Sequence, residues 1–231
     1  MSTFRRLDDE RIQATVERLE QRIAERFPDA GLRLVAAELT SLAEESRARC
    51  RAIRRPMPLL RVGVLLLLTA LALLLGYELT VLEPGQRIRT LRDFVETLEP
   101  ALGAAFFIGA MVAFLWTLGL RVKRGRALTA LNELRSVAHI VDMHQLTKDP
   151  SRSTTAARTA SSPERLLSDA ELGRYFDYCS EMLALVAKLA ALYVQGFNDL
   201  PTGRAADDLE ELCTGLSRKI WQKVMLLQVP G

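Results

Sequence analysis

Two stretches of this 231-residue chain decide its fold. Residues 58–77 read PLLRVGVLLLLTALALLLGY, and residues 101–120 read ALGAAFFIGAMVAFLWTLGL. A helix that crosses the hydrocarbon core of a bilayer, roughly 30 Å thick, needs about 20 apolar residues, and both stretches reach that length. Lipid favours a helix because a helix satisfies every backbone polar group within one segment. Both stretches are therefore predicted to be transmembrane helices.

The composition outside these stretches excludes several classes of protein. Of all residues 49% are apolar, 6% are aromatic and 26% are charged, and the charged residues lie almost entirely outside the two apolar stretches. This pattern excludes an ordinary soluble domain, a collagen-like chain and a disulfide scaffold, since three cysteines cannot all pair. The net charge of +3 is too small to indicate nucleic acid as a partner, and none is predicted.

The flanking charges predict the topology. About 55 residues, rich in polar and charged side chains, precede the first stretch, so it is not predicted to be a cleaved signal peptide. The segment between the stretches has three arginines and five acids, whereas bases without acids flank the outer ends. These membrane-flanking bases are Arg51, Arg54, Arg55, Arg61, Arg121, Lys123, Arg124 and Arg126. By the positive-inside rule, both termini are predicted to be cytoplasmic, on a multi-pass protein of the inner membrane.

The remaining sequence predicts amphipathic helices. Ile12, Val16, Leu19 and Ile23 recur at helical spacing, as do Leu32, Val35, Leu39 and Leu42 in a second helix. Ser168 and Glu171 form a capping-box pattern that opens a long helix. The residues from Asn198 to Gly203 are predicted to separate this helix from a last one, over about 204–228.

The predicted fold is all-α, a two-pass transmembrane helical hairpin with a cytoplasmic helical bundle of coiled-coil type built from the N- and C-terminal segments. We divide the chain into seven segments. The N-terminal and membrane segments are 1–55 as a cytoplasmic helical hairpin, 56–78 as the first span, 79–100 as a short extracytoplasmic loop with an interfacial helix and 101–120 as the second span. The remaining segments are 121–146 as a cytoplasmic helix that continues the second span, 147–163 as a flexible Ser/Thr-rich linker and 164–231 as a C-terminal helical hairpin.

A polar cluster on the helix 121–146 is the candidate for chemistry. At 100° per residue His139 and His144 point about 140° apart, so one helix does not direct both at one ion. Arg135, His139 and Asp142 share a face, which favours an ion-pair and hydrogen-bond ladder that locks the bundle. His139 and Asp142 are weak metal candidates because no second ligand cluster has the usual spacing. No catalytic residue, metal or cofactor is predicted.

Small residues recur four apart in the apolar stretches, at Ala72 and Gly76 and at Ala105, Gly109 and Ala113. Such stripes let helices approach closely in lipid. Packing of the two spans within one chain and self-association between chains are equally compatible with them.

These features lead to a functional hypothesis without an enzymatic activity. The sequence favours a scaffold, adaptor or regulatory subunit whose helical cytoplasmic module binds a protein partner or copies of itself, with the lipid bilayer as its environment and no small-molecule substrate identified. The alternative is an oligomeric pore-forming or membrane-perturbing effector gated by the bundle. A third hypothesis is a membrane-tethered hydrolase that uses His139 and Asp142. Cys179 and Trp221 are expected to be buried in the bundle.

Overall fold

The computed structural model describes residues 5–55, 58–81, 91–148 and 167–228. Within these ranges the chain forms helices and no strand, which confirms the all-α prediction. The six helices of the described ranges are α1 (Asp9–Arg26), α2 (Gly31–Arg54), α3 (Pro58–Val81), α4 (Leu91–Leu146), α5 (Asp169–Val194) and α6 (Leu200–Gln228). The predicted linker 147–163 and the centre of the predicted loop lie largely outside the described residues.

The chain divides into two compact units. One unit, here called the bundle, takes Met1–Arg54 and Arg124–Gly231 from the two sides of the apolar region. The other, here called the apolar unit, takes Arg55–Lys123. Helix α4 contributes residues to both, because helical periodicity continues without interruption beyond its apolar part.

The bundle is held by one hydrophobic core to which α1, α2, α4, α5 and α6 all contribute. The predicted apolar face of α1 is buried, with Ile23 fully excluded from solvent. Helix α5 packs against α1, α2 and α6, and it buries Phe176 and Leu183 completely. Each large apolar side chain buried in this way contributes about 1.5–3 kcal/mol. Short amphipathic helices that are marginal alone therefore stabilise one another.

Helix ends in the bundle follow the local chemistry of the sequence. Asp8 caps α1, since its Oδ1 accepts hydrogen bonds from the backbone N–H groups of Glu10 and Arg11 at 3.0 and 3.2 Å. Ser168 and Glu171 form the predicted capping box in both directions. These contacts satisfy N–H groups that a helix leaves without an internal partner.

Helix α6 begins earlier than the sequence predicts. The prediction ended the interruption at Gly203, whereas the helix starts at Leu200 and includes Pro201. Proline has no N–H to donate, and this is harmless in a first turn because those N–H groups have no helical acceptor. Asp199 then occupies the capping position immediately before the helix.

The apolar unit contains α3 and the first part of α4. Among the residues that the structure describes, one helix segment, Ala105–Leu146, is long and apolar enough to cross a membrane, and 6% of its most apolar 18 residues are buried. In α3, which spans 24 residues, the apolar stretch with described side chains is Val62–Leu73. Helix α4 begins at Leu91, ten residues before the predicted start of the second span, and it continues without interruption because propagating a helix costs less than starting a new one.

Candidate functional site

The predicted ladder of Arg135, His139 and Asp142 does not form. The imidazole of His139 is exposed, and the carboxylate of Asp142 accepts a hydrogen bond from Nε2 of Gln145 at 2.6 Å. No ion pair joins the three residues in the part of the chain that the structure describes. The reason is geometric, since Ala138 and Val141 occupy the buried face of α4 and turn His139 towards solvent.

Metal-ligating side chains are dispersed in the described ranges. No group of three His, Cys, Asp or Glu side chains is placed there to hold a metal ion. Asp177 pairs with Arg174 at 3.5 Å, and Glu181 pairs with Arg22 at 2.8 Å. These acids are therefore used in ion pairs at the surface of α5 and do not converge on His139.

The three thiols are buried and poorly ionised. Burial raises the pKa of the Cys50 and Cys179 thiols to about 12, and that of Cys213 to about 11. A nucleophilic cysteine needs the opposite environment, an exposed thiol with a lowered pKa. Cys179 is fully excluded from solvent, as the sequence predicts, and all three thiols pack as small apolar side chains.

A polar network joins α4 to the start of α6 within the bundle. The guanidinium of Arg124 donates from Nη2 to Oδ1 of Asp199 at 2.7 Å and from Nε to both carboxylate oxygens at 3.0 and 3.1 Å. Oδ2 of Asp199 also accepts from the N–H and the hydroxyl of buried Thr202, at 3.2 and 2.8 Å. The hydrogen bonds from Arg124, and then those from Thr202, lower the pKa of Asp199. Asp199 therefore caps α6 and anchors α4 at the same time.

The other predicted flanking bases differ in their environments. Five of them have exposed side chains, namely Arg51, Arg54, Arg55, Arg121 and Arg126. The structure does not describe the side chain of Arg61. Nζ of Lys123 donates to the carbonyl oxygen of Arg55 at 2.9 Å in the apolar unit. In the bundle Arg54 lies against Gly196, where an added Cβ would be 2.9 Å from the Nε atom of Arg54. Most of these bases are therefore accessible to a negatively charged surface, whereas Arg124 has a partner within the chain.

The C-terminal end of α4 is fixed by three neighbours. Nζ of Lys223 in α6 donates to the carbonyl oxygens of Gln145 and Lys148 at 2.8 and 3.3 Å. The hydroxyl of Tyr175 in α5 donates to the carbonyl oxygen of His144 at 3.5 Å. The imidazole of His144 lies against the first residue of α2, with Cε1 2.5 Å from the position a Cβ on Gly31 would take. Helix carbonyls that lack an internal donor are satisfied in this way.

The small residues predicted to pack helices in lipid are exposed. Ala72, Gly76, Ala105, Gly109 and Ala113 all face away from the interior of the apolar unit. A Cβ added at Gly76 or Gly109 would meet no atom within 4 Å. The large side chains beside them are equally open, with 73% of Phe107 and 72% of Trp116 exposed. A surface of this kind is suited to lipid or to another helix.

The outer face of α6 is a feature that the sequence analysis missed. Trp221 was expected to be buried, but 60% of its surface is exposed, together with Met225 and Leu226. The helix buries Leu209, Leu216 and Ile220 instead, and Trp221 lies next to Ile220 in sequence, about 100° around the helix. A strict count of the apolar spacing would have placed Trp221 off the buried stripe.

Asp199 and Gly196 are the other residues that sequence reasoning did not single out. Asp199 precedes a Leu-Pro pair at a helix start, which is a capping signal. Gly196 has φ of +137°, a backbone conformation that side chains with a Cβ rarely adopt. Its position two residues after the end of α5 is a typical place for glycine. Both residues therefore have a local sequence signal, but neither signal identifies Arg124 or Arg54 as the neighbour.

Together these contacts define a membrane-compatible helical unit and a closed helical bundle without converging catalytic groups among the described residues. Comparison with protein-family models, curated proteins and solved structures finds no match to this chain.

Proposed function

We propose that this chain is a two-pass inner-membrane protein whose bundle is cytoplasmic and serves as a protein-interaction or self-assembly module. The observation that carries the proposal is the contrast between the two units. The apolar unit exposes large side chains such as Phe106, Phe107 and Trp116, whereas the bundle encloses its own core. Exposed apolar surface of that extent is stable in lipid but not in water.

The proposal of two spans requires that α3, which corresponds to the first predicted span, also crosses the membrane. At 1.5 Å per residue a helix of 24 residues is about 36 Å long, enough to cross the hydrocarbon core. Its described apolar residues, such as Leu65, Leu66 and Leu73, are exposed in the same way as those of α4. Two spans place the N-terminal and C-terminal segments on one side of the membrane, which is the arrangement that a bundle built from both segments requires.

The bundle supports a role in binding rather than in catalysis. The carboxylate of Asp199 accepts hydrogen bonds from Arg124 of α4 and from Thr202 of α6, so these polar groups connect two helices. Its thiols are buried, and its exposed charged and apolar side chains lie on helix surfaces. Surfaces of that kind bind protein helices, so we assign the chain to scaffold, adaptor or regulatory subunits.

Site-directed thiol labelling tests the topology. The native cysteines are poor reporters because all three are buried, so a labelling site has to be introduced. In intact cells we expect a membrane-impermeant maleimide to label Gln86→Cys, between the two spans, but not Thr214→Cys, on the exposed face of α6. Permeabilised cells provide the control, in which both variants are labelled. Labelling of Thr214→Cys from outside, or release of the protein from membranes by alkaline carbonate, would contradict the proposal.

A second candidate function is an oligomeric pore or membrane-perturbing effector gated by the bundle. The observation in its favour is the exposed small-residue stripe at Ala105, Gly109 and Ala113, which permits close packing between copies. A liposome leakage assay separates the two functions. Dye release that depends on the protein, and that Gly109→Leu abolishes, supports the pore, whereas intact liposomes at every protein density support the interaction module.

A further inference from the structure

The outer face of α6 carries an unpartnered stripe of side chains. Exposed residues recur along it at alternating spacings of four and three, the spacing of one face of a helix. The members of this α6 stripe are Asp207, Glu211, Thr214, Arg218, Trp221 and Met225. The opposite face, with Leu209, Leu216 and Ile220, is buried in the bundle, so the helix is already fixed and the stripe is a rigid surface.

Charge is strongly segregated along this helix. The first half, Leu200 to Glu211, has one base and four acids, and the second half, Leu212 to Gln228, has three bases and no acid. The helix dipole does not account for the pattern, because its effect is confined to the first and last turns and Glu211 and Arg218 lie further in. Asp207 and Glu211 are also four residues apart, a spacing at which like charges repel.

Five of these charges have no ion-pair partner among the described residues. The structure shows no salt bridge there for Asp207, Glu210, Glu211, Arg218 or Lys219, although five other ion pairs link segments of the bundle. The segregated charges therefore cost free energy in the isolated chain. A partner with the reverse order of charge would remove that cost.

We propose that the partner is a second copy of the same chain, with the two α6 stripes packed antiparallel about a two-fold axis. Antiparallel packing places the acidic half of each helix along the basic half of the other. With the axis between Thr214 and Gly215, Glu211 lies opposite Arg218 of the second copy. The two-fold axis repeats this pair, so one sequence pattern supplies two complementary pairs.

The centre of this interface is small, which antiparallel helices need for close approach. Gly215 is exposed, and a Cβ added to it would meet no atom within 4 Å. Towards the ends, the same register places Met225 opposite Arg204 of the second copy. The aliphatic stem of an arginine accommodates an apolar side chain. The exposed Met225 thus gains an apolar partner.

A single helix pair buries less area than a stable dimer in solution usually requires. Two copies held in one membrane meet at a high effective concentration, so a weak interface is sufficient. In this respect the inference rests on the proposed function, that the chain is anchored in a bilayer. It adds the identity of the partner and the surface that binds it.

Cysteine crosslinking of the full chain in membrane vesicles tests the register. Thr214→Cys lies next to the axis, so a short bifunctional maleimide is expected to give a crosslinked dimer with this single variant. Arg204→Cys and Met225→Cys each lie about 30 Å from their own counterpart in an antiparallel pair, so neither should crosslink alone. Co-expressed, the two variants should crosslink with each other. The native chain is the control, because its three thiols are buried.

Charge reversal tests the chemistry of recognition. Glu211→Arg or Arg218→Glu alone is expected to lower the crosslinked fraction of Thr214→Cys about tenfold, because each reversal makes two symmetry-related pairs repulsive. The double reversal should restore it. Glu38→Arg on the exposed face of α2 is the matched control and should have no effect.

Three results would overturn the inference. The first is crosslinking of Met225→Cys alone, which would indicate parallel helices. The second is a Thr214→Cys adduct with a different protein. The third is the absence of any adduct although the chain resists carbonate extraction. If the chain does not resist carbonate extraction, the membrane proposal fails instead, so the two failures are distinguishable.

Discussion

Arg124 and Asp199, which are 75 residues apart in the chain, are joined by hydrogen bonds from the guanidinium to both oxygens of the carboxylate. Arg124 is the residue at which α4 enters the bundle, and Asp199 caps α6. The sequence places Arg124 among the membrane-flanking bases, and the structure gives it a partner within the protein. This pair therefore links the first bundle residue of α4 to α6, the last helix of the bundle.

Replacing Arg124 should destabilise the bundle, since Asp199 would keep its charge and lose its cation. We expect Arg124→Ala to lower the thermal unfolding midpoint of the full chain by a few degrees. The midpoint is measured in detergent from the helical circular dichroism signal. Arg124→Lys should recover part of the loss, because lysine keeps the charge but not the two-pronged geometry. Arg126→Ala is the control, since Arg126 is exposed. Equal midpoints for Arg124→Ala and Arg126→Ala would show that the pair contributes nothing.

The stabilisation by Asp199 should depend on pH in the acidic range. Its pKa in the folded protein is lowered below the ordinary value of 3.8, so the folded state binds the proton less tightly than the unfolded chain does. The stabilisation is thus fully present above pH 3.8 and is lost as the pH falls through the lower, folded value. Asp199→Asn keeps a helix cap but removes the charge. We expect the stability difference between the native chain and this variant to be largest near neutral pH and to shrink in acid. A difference that stays constant across the acid range would contradict this assignment.

Gly196 should not tolerate a side chain. Its φ of +137° is unfavourable for alanine, and the added Cβ would lie 2.9 Å from Nε of Arg54. Gly196→Ala is expected to reduce the free energy of unfolding by about 1–3 kcal/mol. Gly173→Ala is the matched control inside α5, where a Cβ meets no atom within 4 Å, and it should stabilise the chain by about 0.5–1 kcal/mol. Denaturant unfolding of both variants measures the two opposite signs, and a shared sign would refute the strain argument.

Gly31 and His144 should be energetically coupled. A Cβ on Gly31 would lie 2.5 Å from Cε1 of His144, so the imidazole or the start of α2 has to move. Gly31→Ala is expected to cost about 1–3 kcal/mol of stability, as other insertions into packed contacts do. In the background of His144→Ala the same change should cost much less, and a double-mutant cycle measures the difference. Additive effects would show that the two residues do not interact.

Local signals in the sequence were sufficient for the helices themselves. The spacing of Ile12, Val16, Leu19 and Ile23 predicted both the helix and its buried face, and the pair Ser168 and Glu171 predicted the start of α5. Such signals depend on residues within one or two turns of each other, which a sequence displays directly. The start of α6 was misplaced because Pro201 was taken as an interruption, although proline is compatible with a first turn.

The ladder of Arg135, His139 and Asp142 shows where local reasoning fails. Spacing placed the three on one face of α4, but only the position of the neighbouring helices decides whether that face is enclosed. His139 on that face is exposed, and Asp142 binds Gln145 instead. Trp221 was misassigned for the same reason, because a residue at the edge of an apolar stripe becomes buried or exposed according to what packs beside it.

By itself, the sequence determined that the chain is helical, where most helices lie and that one region is apolar enough for a membrane, because these properties follow from the period and length of apolar runs. The tertiary structure alone decided which distant groups meet, including Arg124 with Asp199, Gly31 with His144 and Lys223 with the end of α4. Those contacts join residues 75 or more positions apart, and no local spacing encodes them. They arise when the amphipathic helices pack into a common core and their remaining polar groups find partners.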